Sequence, residues 1–307
     1  MMGLTLKHLR YFDALARNGH FGRAAETCGI SQPALSVQIK ELELMLGAPL
    51  VERHARHIRL TALGEDFLTR ARKIIVDVQE LDDLVRSSEG PLAGRLRLGV
   101  IPTIAPYLLP KIIRALSQQM PALELEPRET VTRTLISDLL DSRLDAAIVA
   151  LPVSEPALHE AQLFDEEFLL LRPKSEADHP VPNPKKLREE RLLLLAEGHC
   201  FRDQALSFCD IDSSEPRYLM EGSSLATLVQ MVGAGMGLTL IPEMAAELEM
   251  RAADVAVSRF PRPQPTRTIG MVWRKTNPLA RQLIEISKIV NQLGRENPSP
   301  SSAQTAS

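Results

Sequence analysis

The sequence SQPALSVQIKELE, at residues 31–43, carries the signals of a short helix and of its starting point. Ser31 is a residue type that caps helix N-termini, and Pro33 falls in the first turn, where its missing N–H costs little. Apolar residues then recur at the three- and four-residue steps that give a helix one buried face. They are Leu35, Ile39, Leu42 and Leu46. The helix is predicted to end at Gly47. The opposite face is expected to carry Ser36, Lys40 and Glu43.

Two shorter helices are predicted before this helix, and two short strands after it. The apolar positions are Leu9, Phe12 and Ala16 in the first helix and Phe21, Ala24, Ala25 and Cys28 in the second. Residues 50–53 and 58–60 have the pattern of strands around a basic turn at residues 54–57. Residues 1–60 therefore predict an α-helical winged helix-turn-helix domain, in which Cys28 is expected to be a core thiol.

The charge distribution favours a DNA-binding face in this first domain. Residues 1–60 hold eight Lys or Arg against five Asp or Glu, whereas the whole chain holds 36 against 39, a net charge of -3. A recognition helix places short polar side chains on base edges while cations contact the phosphates. The expected DNA-binding residues are Ser31, Gln32, Pro33, Ser36, Lys40, Arg53 and Arg56, the last three on phosphates. The alternative is a small protein-binding module with a solvated charged face.

Four motifs in this domain resemble the LysR-type transcriptional regulators. They are HLRYF at residues 8–12, FGRAAE at 21–26, SQPALSVQIKELE at 31–43 and LVER at 50–53. The resemblance extends over nearly the whole chain. It implies a winged helix-turn-helix, a dimerising linker helix and an α/β regulatory domain of two lobes, similar to periplasmic solute-binding proteins. It also implies promoter DNA and RNA polymerase as partners, and a homodimer or homotetramer as the assembly.

Residues 61–90 are predicted to form the linker helix, with Thr61 as its cap. Apolar residues recur along it at steps of three and four: Leu68, Ala71, Ile75, Val78, Leu81 and Val85. Such a seam is consistent with packing on the same domain or with pairing to a second copy. Its coiled-coil spacing favours the dimer. A linker is expected near Gly90, Pro91 and Gly94.

Residues 91–295 are expected to form the regulatory domain. Strand patterns alternate with helical ones, including a helix predicted to begin at Pro110, and this alternation predicts a mostly parallel sheet covered on both faces. Lobe I is assigned to about residues 91–165 and 266–295, and lobe II to about 166–265. Residues 296–307 are polar and rich in Ser and Pro, which is typical of a disordered tail.

The sequence EGHCFRDQALSFC, at residues 197–209, contains a second group of functional candidates. With GVIPTIAPYLLP at residues 99–110, LFDE at 163–166 and RTIG at 267–270, it resembles a branch of the LysR family that senses hydrogen peroxide. The resemblance implies a reversible disulfide between Cys200 and Cys209 that switches the regulator. Two unrelated buried thiols are the alternative.

The chemistry of this segment independently suits a reactive thiol. Cys200 is adjacent to His199, is two residues from Arg202 and lies at a predicted helix N-terminus, and each feature favours the thiolate. Cys200 is therefore the candidate peroxidatic thiol and Cys209 the candidate resolving thiol. Nine residues of unbroken helix span about 13.5 Å. A disulfide requires Cα atoms within about 7 Å, so bond formation would require the segment to unwind.

Further site residues are assigned by the same resemblance. Thr103 and Thr132 are expected to bind peroxide beside the thiol, and Arg267 to support the thiolate. Asp203 is expected to orient Arg202 or the loop. Structural alternatives remain open: a helix N-cap for Thr132, a surface ion pair for Arg202 and Asp203, and a solvated strand end for Arg267.

The remaining patterns exclude other classes of protein. The chain begins without an apolar leader and contains no apolar run of the roughly 20 residues that span a bilayer, so a cytoplasmic protein without membrane contact is expected. Neither metal-ligand spacings nor phosphate-binding glycine motifs occur, so no cofactor is expected. We expect a regulator rather than an enzyme, with peroxide as its signal and a cytosolic thiol as its reductant. The alternatives are a LysR-type regulator with a small-molecule effector between its lobes and a stand-alone thiol peroxidase.

Overall fold

The structure is a computed structural model that describes residues 3–53, 58–88, 94–187, 190–209, 221–251 and 253–296. Its α-helices are α1 (Leu6–Asn18), α2 (Phe21–Thr27), α3 (Gln32–Leu46), α4 (Ala62–Ser88), α5 (Ala105–Gln119), α6 (Thr132–Leu140), α7 (Pro184–Leu187), α8 (Cys200–Phe208), α9 (Leu225–Gly233), α10 (Glu243–Glu249) and α11 (Ala280–Arg295). Its strands are β1 (Val51–Arg53), β2 (Ile58–Leu60), β3 (Gly94–Val100), β4 (Leu123–Glu129), β5 (Ala146–Leu151), β6 (Leu158–Pro173), β7 (Leu194–Leu195), β8 (Glu221–Gly222), β9 (Thr239–Pro242), β10 (Val255–Arg259) and β11 (Thr266–Arg274). The chain divides into two compact units, residues 1–85 and 86–307.

The first unit contains the predicted three helices and two-stranded wing. The predicted caps of α3 are confirmed: the Ser31 hydroxyl accepts a hydrogen bond from the Ala34 N–H at 3.4 Å, and Gly47 ends the helix at a φ of 70°. The apolar face of α3 is buried against α1 and α2. Glu43 differs from expectation, because its carboxylate turns away from solvent and accepts from the backbone N–H groups of Leu50 and Val51 at 2.8 and 3.1 Å. It therefore anchors the first strand of the wing to α3.

Helix α4 begins where the sequence predicts, since the Thr61 hydroxyl accepts from the Gly64 N–H at 2.9 Å. Its apolar seam divides into two parts. Leu68 and Ala71 are buried within the first unit, whereas Leu81 is 62% exposed. Packing on the same domain therefore accounts for the first turns of the helix, and an apolar surface remains farther along. Of the predicted linker, Gly90 and Pro91 lie outside the described residues, whereas Gly94 is the first residue of β3. Of the predicted tail at 296–307, residues 297–307 lie outside the described residues.

The second unit is built on a seven-stranded sheet with the order β10-β6-β11-β5-β3-β4, to which β9 adds by pairing with β6. The predicted α/β architecture is confirmed, but the prediction of a mostly parallel sheet is wrong. Only β4, β3 and β5 run parallel to one another, while β11, β6, β9 and β10 pair antiparallel. The reason is that β6 and β11 are long strands laid directly against each other rather than strands joined by helical crossovers.

Two separate hydrophobic cores lie along this sheet. The first half of β6 pairs with β11 over one core, formed with β3, β5, α5, α6 and α11. The second half pairs with β9 and β10 over the other, formed with α8, α9 and α10. We refer to the part of the unit around the first core as lobe I and to the part around the second core as lobe II. The strand β6 passes from one to the other close to residues 164–168.

Helix α5 begins five residues before its predicted start at Pro110. Pro110 lies inside the helix, where it lacks an N–H to donate to the preceding turn. The fully buried side chain of Leu108 lies one turn before Ile112 on the same helical face, and packing of this face compensates for the lost bond. Because of the earlier start, the turn that contains Thr103 meets the N-terminus of α5 directly.

Candidate redox site and nucleic-acid interface

Helix α8 carries both candidate cysteines at its two ends. Cys200 is its first residue, as predicted, and Cys209 is the residue that caps its C-terminus. Cys200 is half-buried and packs against the core of lobe I, whereas Cys209 is fully buried in the core of lobe II. The helix between them is unbroken, so their Cα atoms are separated by about 13.5 Å. The structure therefore holds the two sulfurs apart, in different cores.

The Cys200 side chain borders a narrow crevice that has no room for a water-sized molecule. Thr103, Thr132 and His199 line it together with Cys200, so the fold brings the two distant threonines to the His199–Cys200 pair. Thr132 is the first residue of α6 and its hydroxyl does not cap the helix, because the N-cap residue is Val131. The Thr132 hydroxyl is buried and has no hydrogen-bond partner within the described part of the chain. It remains available to a molecule in the crevice.

Arg267 contacts two of the residues that line the crevice. Its guanidinium donates to the Thr103 hydroxyl at 2.8 Å and to the Thr103 carbonyl at 3.2 Å. The same group lies 5.3 Å from the ring centroid of Phe201, the neighbour of Cys200. Arg267 is only 3% exposed, so the alternative of a solvated strand end is wrong. Its hydrogen bonds orient Thr103, and it meets the cysteine helix through an aromatic ring.

The partner of Arg267 is Glu166, a residue that sequence reasoning missed. The two residues lie directly opposite each other on β11 and β6, and their side chains form an ion pair at 2.7 Å. Glu166 also accepts from the Met244 N–H at 2.9 Å, which links the pair to the start of α10 in lobe II. Burial raises the pKa of the Glu166 carboxyl, and Arg267 opposes this shift. Glu166 closes the LFDE motif, but no local signal in the sequence indicated its partner.

A second buried tie between the lobes was also missed. The Tyr107 hydroxyl of α5 donates to the Glu249 carboxylate of α10 at 2.7 Å. Burial and the adjacent carboxylate raise the pKa of Tyr107 well above its ordinary range, so the phenol stays protonated and remains a donor. Helix α10 is therefore held to its surroundings at both ends, by Glu166 at its start and by Tyr107 at its finish.

The three other predicted residues near Cys200 have different environments. Burial lowers the pKa of His199, so its imidazole is neutral at pH 7 and supplies no positive charge to the thiol, contrary to expectation. Arg202 donates to the Leu195 carbonyl at 3.1 Å, which ties α8 to β7. Asp203 is exposed. Of the three features expected to favour the thiolate, the position at the helix N-terminus is the one with direct geometric support.

Cys200 also borders a larger opening, a cleft of about 480 Å³. One wall is apolar and comes from Ile136 and from residues 150–153 at the end of β5. Asp203 and Gln204 of α8 form part of the other side, and the Gln204 side-chain oxygen is buried without a hydrogen-bond partner among the described residues. Thr132 and Cys200 line both the cleft and the crevice.

The exposed face of α3 carries the predicted base-contacting residues. Gln32 and Pro33 are exposed in the first turn, Ser36 is partly exposed and Lys40 is exposed one turn later. Val37 is 54% exposed on the same helix and was not predicted, although a side chain of this kind suits apolar contact with a thymine methyl. Arg53 belongs to β1, with no described side chain, and Arg56 lies outside the described residues.

No group of three or more His, Cys, Asp or Glu side chains among the described residues could hold a metal ion. No helix in the described part of the chain is long and apolar enough to cross a membrane.

Comparison with known proteins gives matches over nearly the whole chain. Residues 6–65 match the bacterial regulatory helix-turn-helix proteins of the LysR family, and residues 89–290 match the LysR substrate binding domain. The chain is 38% identical over 292 residues to the DNA-binding transcriptional dual regulator OxyR of Escherichia coli, covering 94% of this chain and 95% of the relative.

Two solved structures share the fold over the same length. One is a full-length cysteine-to-aspartate mutant of OxyR from Pseudomonas aeruginosa, with a TM-score of 0.71, 37% identity and coverage of 95% of this chain and 96% of that one. The other is a cysteine-to-serine mutant of Corynebacterium glutamicum OxyR with hydrogen peroxide bound, with a TM-score of 0.65, 34% identity and coverage of 95% and 93%. The chain therefore belongs to the LysR family of bacterial helix-turn-helix regulators.

Proposed function

We propose that this protein is a transcriptional regulator that senses hydrogen peroxide through a reversible disulfide between Cys200 and Cys209. One observation carries the proposal: Cys200 begins a helix beside a crevice lined by two threonine hydroxyls, and a second cysteine ends the same helix. The similarity to a peroxide-bound OxyR structure supports the same signal.

The first step would take place in the crevice. The Cys200 thiolate attacks one oxygen of hydrogen peroxide, the S–O bond forms as the O–O bond breaks, and hydroxide leaves and is protonated to water. Thr103, held by Arg267, and Thr132, whose hydroxyl has no hydrogen-bond partner among the described residues, would hydrogen-bond the two oxygens. The crevice leaves no room for a water-sized molecule, so a small side-chain movement must admit the peroxide.

The second step would change the fold around α8. The Cys209 thiol attacks the sulfenic acid of Cys200, the S–S bond forms and water leaves. The two Cα atoms must come from about 13.5 Å to within about 7 Å, which requires α8 to unwind. A thiol reductant would reverse the reaction by exchange with the disulfide.

Unwinding would break the aromatic contacts that α8 makes. Phe201 packs edge-on to Phe168 with their ring centroids 5.0 Å apart, and Phe208 packs edge-on to Phe260 with their ring centroids 5.1 Å apart. Each such pair contributes about 0.5–1.5 kcal/mol, and the contact of Arg267 with Phe201 about 0.5–2 kcal/mol. Loss of these contacts means that lobe II must repack, and this repacking is the proposed signal to the rest of the molecule.

Disulfide mapping tests the redox proposal. Reduced protein is given a stoichiometric pulse of hydrogen peroxide, and peptides are analysed by non-reducing mass spectrometry. We expect a Cys200–Cys209 cross-link that a dithiol reverses, a trapped sulfenic acid at Cys200 in Cys209→Ser, and no oxidation product at this site in Cys200→Ser. Cys28→Ser is the matched control and should retain the cross-link. Unmodified Cys200 after the pulse would refute the proposal.

The output proposed for this switch is promoter binding. We assign residues 1–60 to the DNA-binding domain, 61–90 to the linker helix and 91–295 to the regulatory domain, and we assign Ser31, Gln32, Pro33, Ser36, Lys40, Arg53 and Arg56 to the DNA interface. Exposed apolar residues of α4, such as Ile74 and Leu81, support pairing with a second copy. Homotetramer assembly, contact with RNA polymerase and a cytoplasmic location are part of the same proposal.

The cleft supports a second candidate function, a regulator that binds a small-molecule effector between its lobes. The volume of the cleft, about 480 Å³, lies in the usual range of small-molecule sites. In that case Cys200→Ala would leave the effector response intact, whereas it would abolish the response to peroxide in the first case. A stand-alone thiol peroxidase would not account for the helix-turn-helix unit.

A further inference from the structure

We propose that a hydrogen-bonded junction at Leu50 fixes the angle between α3 and α4, and that this angle sets the spacing of the paired DNA half-sites that the protein binds. The junction consists of Glu43, Pro49, Leu50, Thr61 and Gly64. This inference rests on the proposed function, because it takes α3 as the recognition helix and α4 as the helix that pairs with a second copy. It makes Glu43 and Gly64 positioning residues, which determine specificity through the backbone of Leu50.

The backbone of Leu50 is bound from both sides. Its N–H donates to the Glu43 carboxylate of α3 at 2.8 Å, and its carbonyl accepts from the N–H of Thr61, the residue before α4, at 3.0 Å. The N–H of Val51 donates to the same Glu43 oxygen at 3.1 Å. The Leu50 side chain is fully buried. A single residue of the chain therefore connects α3 to the start of α4 through two hydrogen bonds.

The first turn of α4 is held against the same segment. The Thr61 hydroxyl donates to the Pro49 carbonyl and accepts from the Gly64 N–H, each at 2.9 Å. A Cβ on Gly64 would lie 2.1 Å from the Leu50 carbonyl oxygen, so only glycine permits this close approach of two backbones. These contacts leave α4 little freedom to tilt relative to α3.

The length of α4 makes a small tilt at the junction measurable at the DNA. Leu81, whose exposed side chain supports pairing with a second copy, lies about 30 Å along the helix from Thr61. A tilt of about 5° displaces a point about 30 Å away by about 3 Å, which is close to the rise of about 3.4 Å per base pair. Because the half-site spacing of a dimeric reader follows the distance between its two recognition helices, such a tilt changes the preferred spacing.

Gly64→Ala should produce a tilt of this size. The added Cβ must move from 2.1 Å to at least 3.0 Å from the Leu50 oxygen, so the two backbones must separate by about 0.9 Å. Across a helix about 10 Å wide, this separation corresponds to a tilt of about 5°. Alanine has a helix propensity about 1 kcal/mol better than that of glycine, so α4 itself is retained.

The test measures half-site spacing with the full-length reduced protein. A pool of random-sequence DNA duplexes is selected for binding and sequenced, and the spacing between paired half-sites is counted. The selected half-site is then placed in duplexes whose spacing differs by single base pairs, and each Kd is measured. The variants are Glu43→Ala, Glu43→Gln and Gly64→Ala. Glu41→Ala is the matched control, because it removes an exposed carboxylate of the same helix that accepts from the Gln38 side chain.

We expect the unmodified protein to prefer one spacing by about tenfold or more over its neighbours. Glu43→Ala should reduce this preference to about threefold or less, because α3 is no longer held to Leu50. Glu43→Gln should keep it, because the amide oxygen can accept the same two N–H groups. Gly64→Ala should move the preferred spacing by about one or two base pairs, since both copies tilt. The control Glu41→Ala should keep the original spacing and preference.

A merely structural role predicts a different result, namely weaker binding at every spacing with the preference unchanged. That result in Glu43→Ala and Gly64→Ala, or an equal change of preference in the control, would overturn this inference. Circular dichroism shows whether Glu43→Ala is folded, and Gly64→Ala decides the question if it is not. Selection of no repeated half-site by the unmodified protein would instead overturn the proposed promoter binding.

Discussion

Glu166 and Arg267 form a buried ion pair whose removal should destabilise the regulatory unit strongly. Both side chains are at most 4% exposed, and the pair is joined at 2.7 Å. Glu166→Gln leaves the guanidinium charge buried without a counter-charge, and loss of one partner of such a pair costs about 3–5 kcal/mol. In a domain of this size that loss lowers Tm by roughly 6–20 °C.

A double-mutant cycle separates the ion pair from simple packing. Arg267→Met, Glu166→Gln and the double variant are unfolded in urea, with the fluorescence of Trp273 as the reporter. Trp273 is the only tryptophan, lies on β11 beyond Arg267 and is 2% exposed, so it follows the unit that contains the pair. We expect the double variant to lose less free energy of unfolding than the sum of the single losses, with a coupling of at least about 2 kcal/mol.

The pH dependence supplies an independent measurement. Burial raises the pKa of Glu166, and the removal of Arg267 takes away the charge that opposes this shift. In Arg267→Met the folded state should therefore bind a proton that the unfolded state releases, so its stability relative to the unmodified protein should rise as pH falls from 7 towards about 5. Additive single losses together with no pH-dependent recovery would refute the assignment of a charged pair.

Other predictions concern single groups. Tyr107→Phe removes the donor to the buried Glu249 carboxylate and should lower the free energy of unfolding by about 1–3 kcal/mol, measured in urea; an unchanged midpoint would show that the tie is not stabilising. Because burial lowers the pKa of His199, the unfolded state binds its proton more readily, so stability should fall as pH falls below about 6.5. His199→Gln should flatten this part of the pH–stability curve, and an unchanged slope would contradict the prediction. Lys40→Ala should weaken binding to any DNA sequence and reduce the salt dependence of log K by about 1. Titrations at several salt concentrations measure this change, and an unchanged slope would remove Lys40 from the phosphate contacts.

The first unit could be predicted closely because its signals are local. Ser31, Gly47 and the apolar steps between them each act within a few residues, so the start, buried face and end of α3 follow from the sequence. Val37 was missed because its exposure depends on which face of α3 the neighbouring helices cover. The direction of the Glu43 side chain likewise depends on the folded position of the wing.

The candidate redox site could be predicted only in part. Cys200 and Cys209 lie on one helix, so their separation follows from helical geometry and their spacing in the chain. The role of Arg267 depends instead on its hydrogen bond to Thr103, which lies 164 residues away in the chain. The sequence contains no local pattern that specifies such a contact.

The sequence by itself determined the helix-turn-helix unit and the α/β unit, the start of α3 and the nine-residue separation of two thiols on a helix. These features arise from hydrogen bonds and packing between residues a few positions apart. Tertiary structure decided the antiparallel pairing of β6 with β11, and with it the meeting of Glu166 and Arg267. It also decided that the two sulfurs lie in different cores and that Cys200 faces both a crevice and a cleft. These features depend on strand register and on the crossing between lobes, which join residues far apart in the chain.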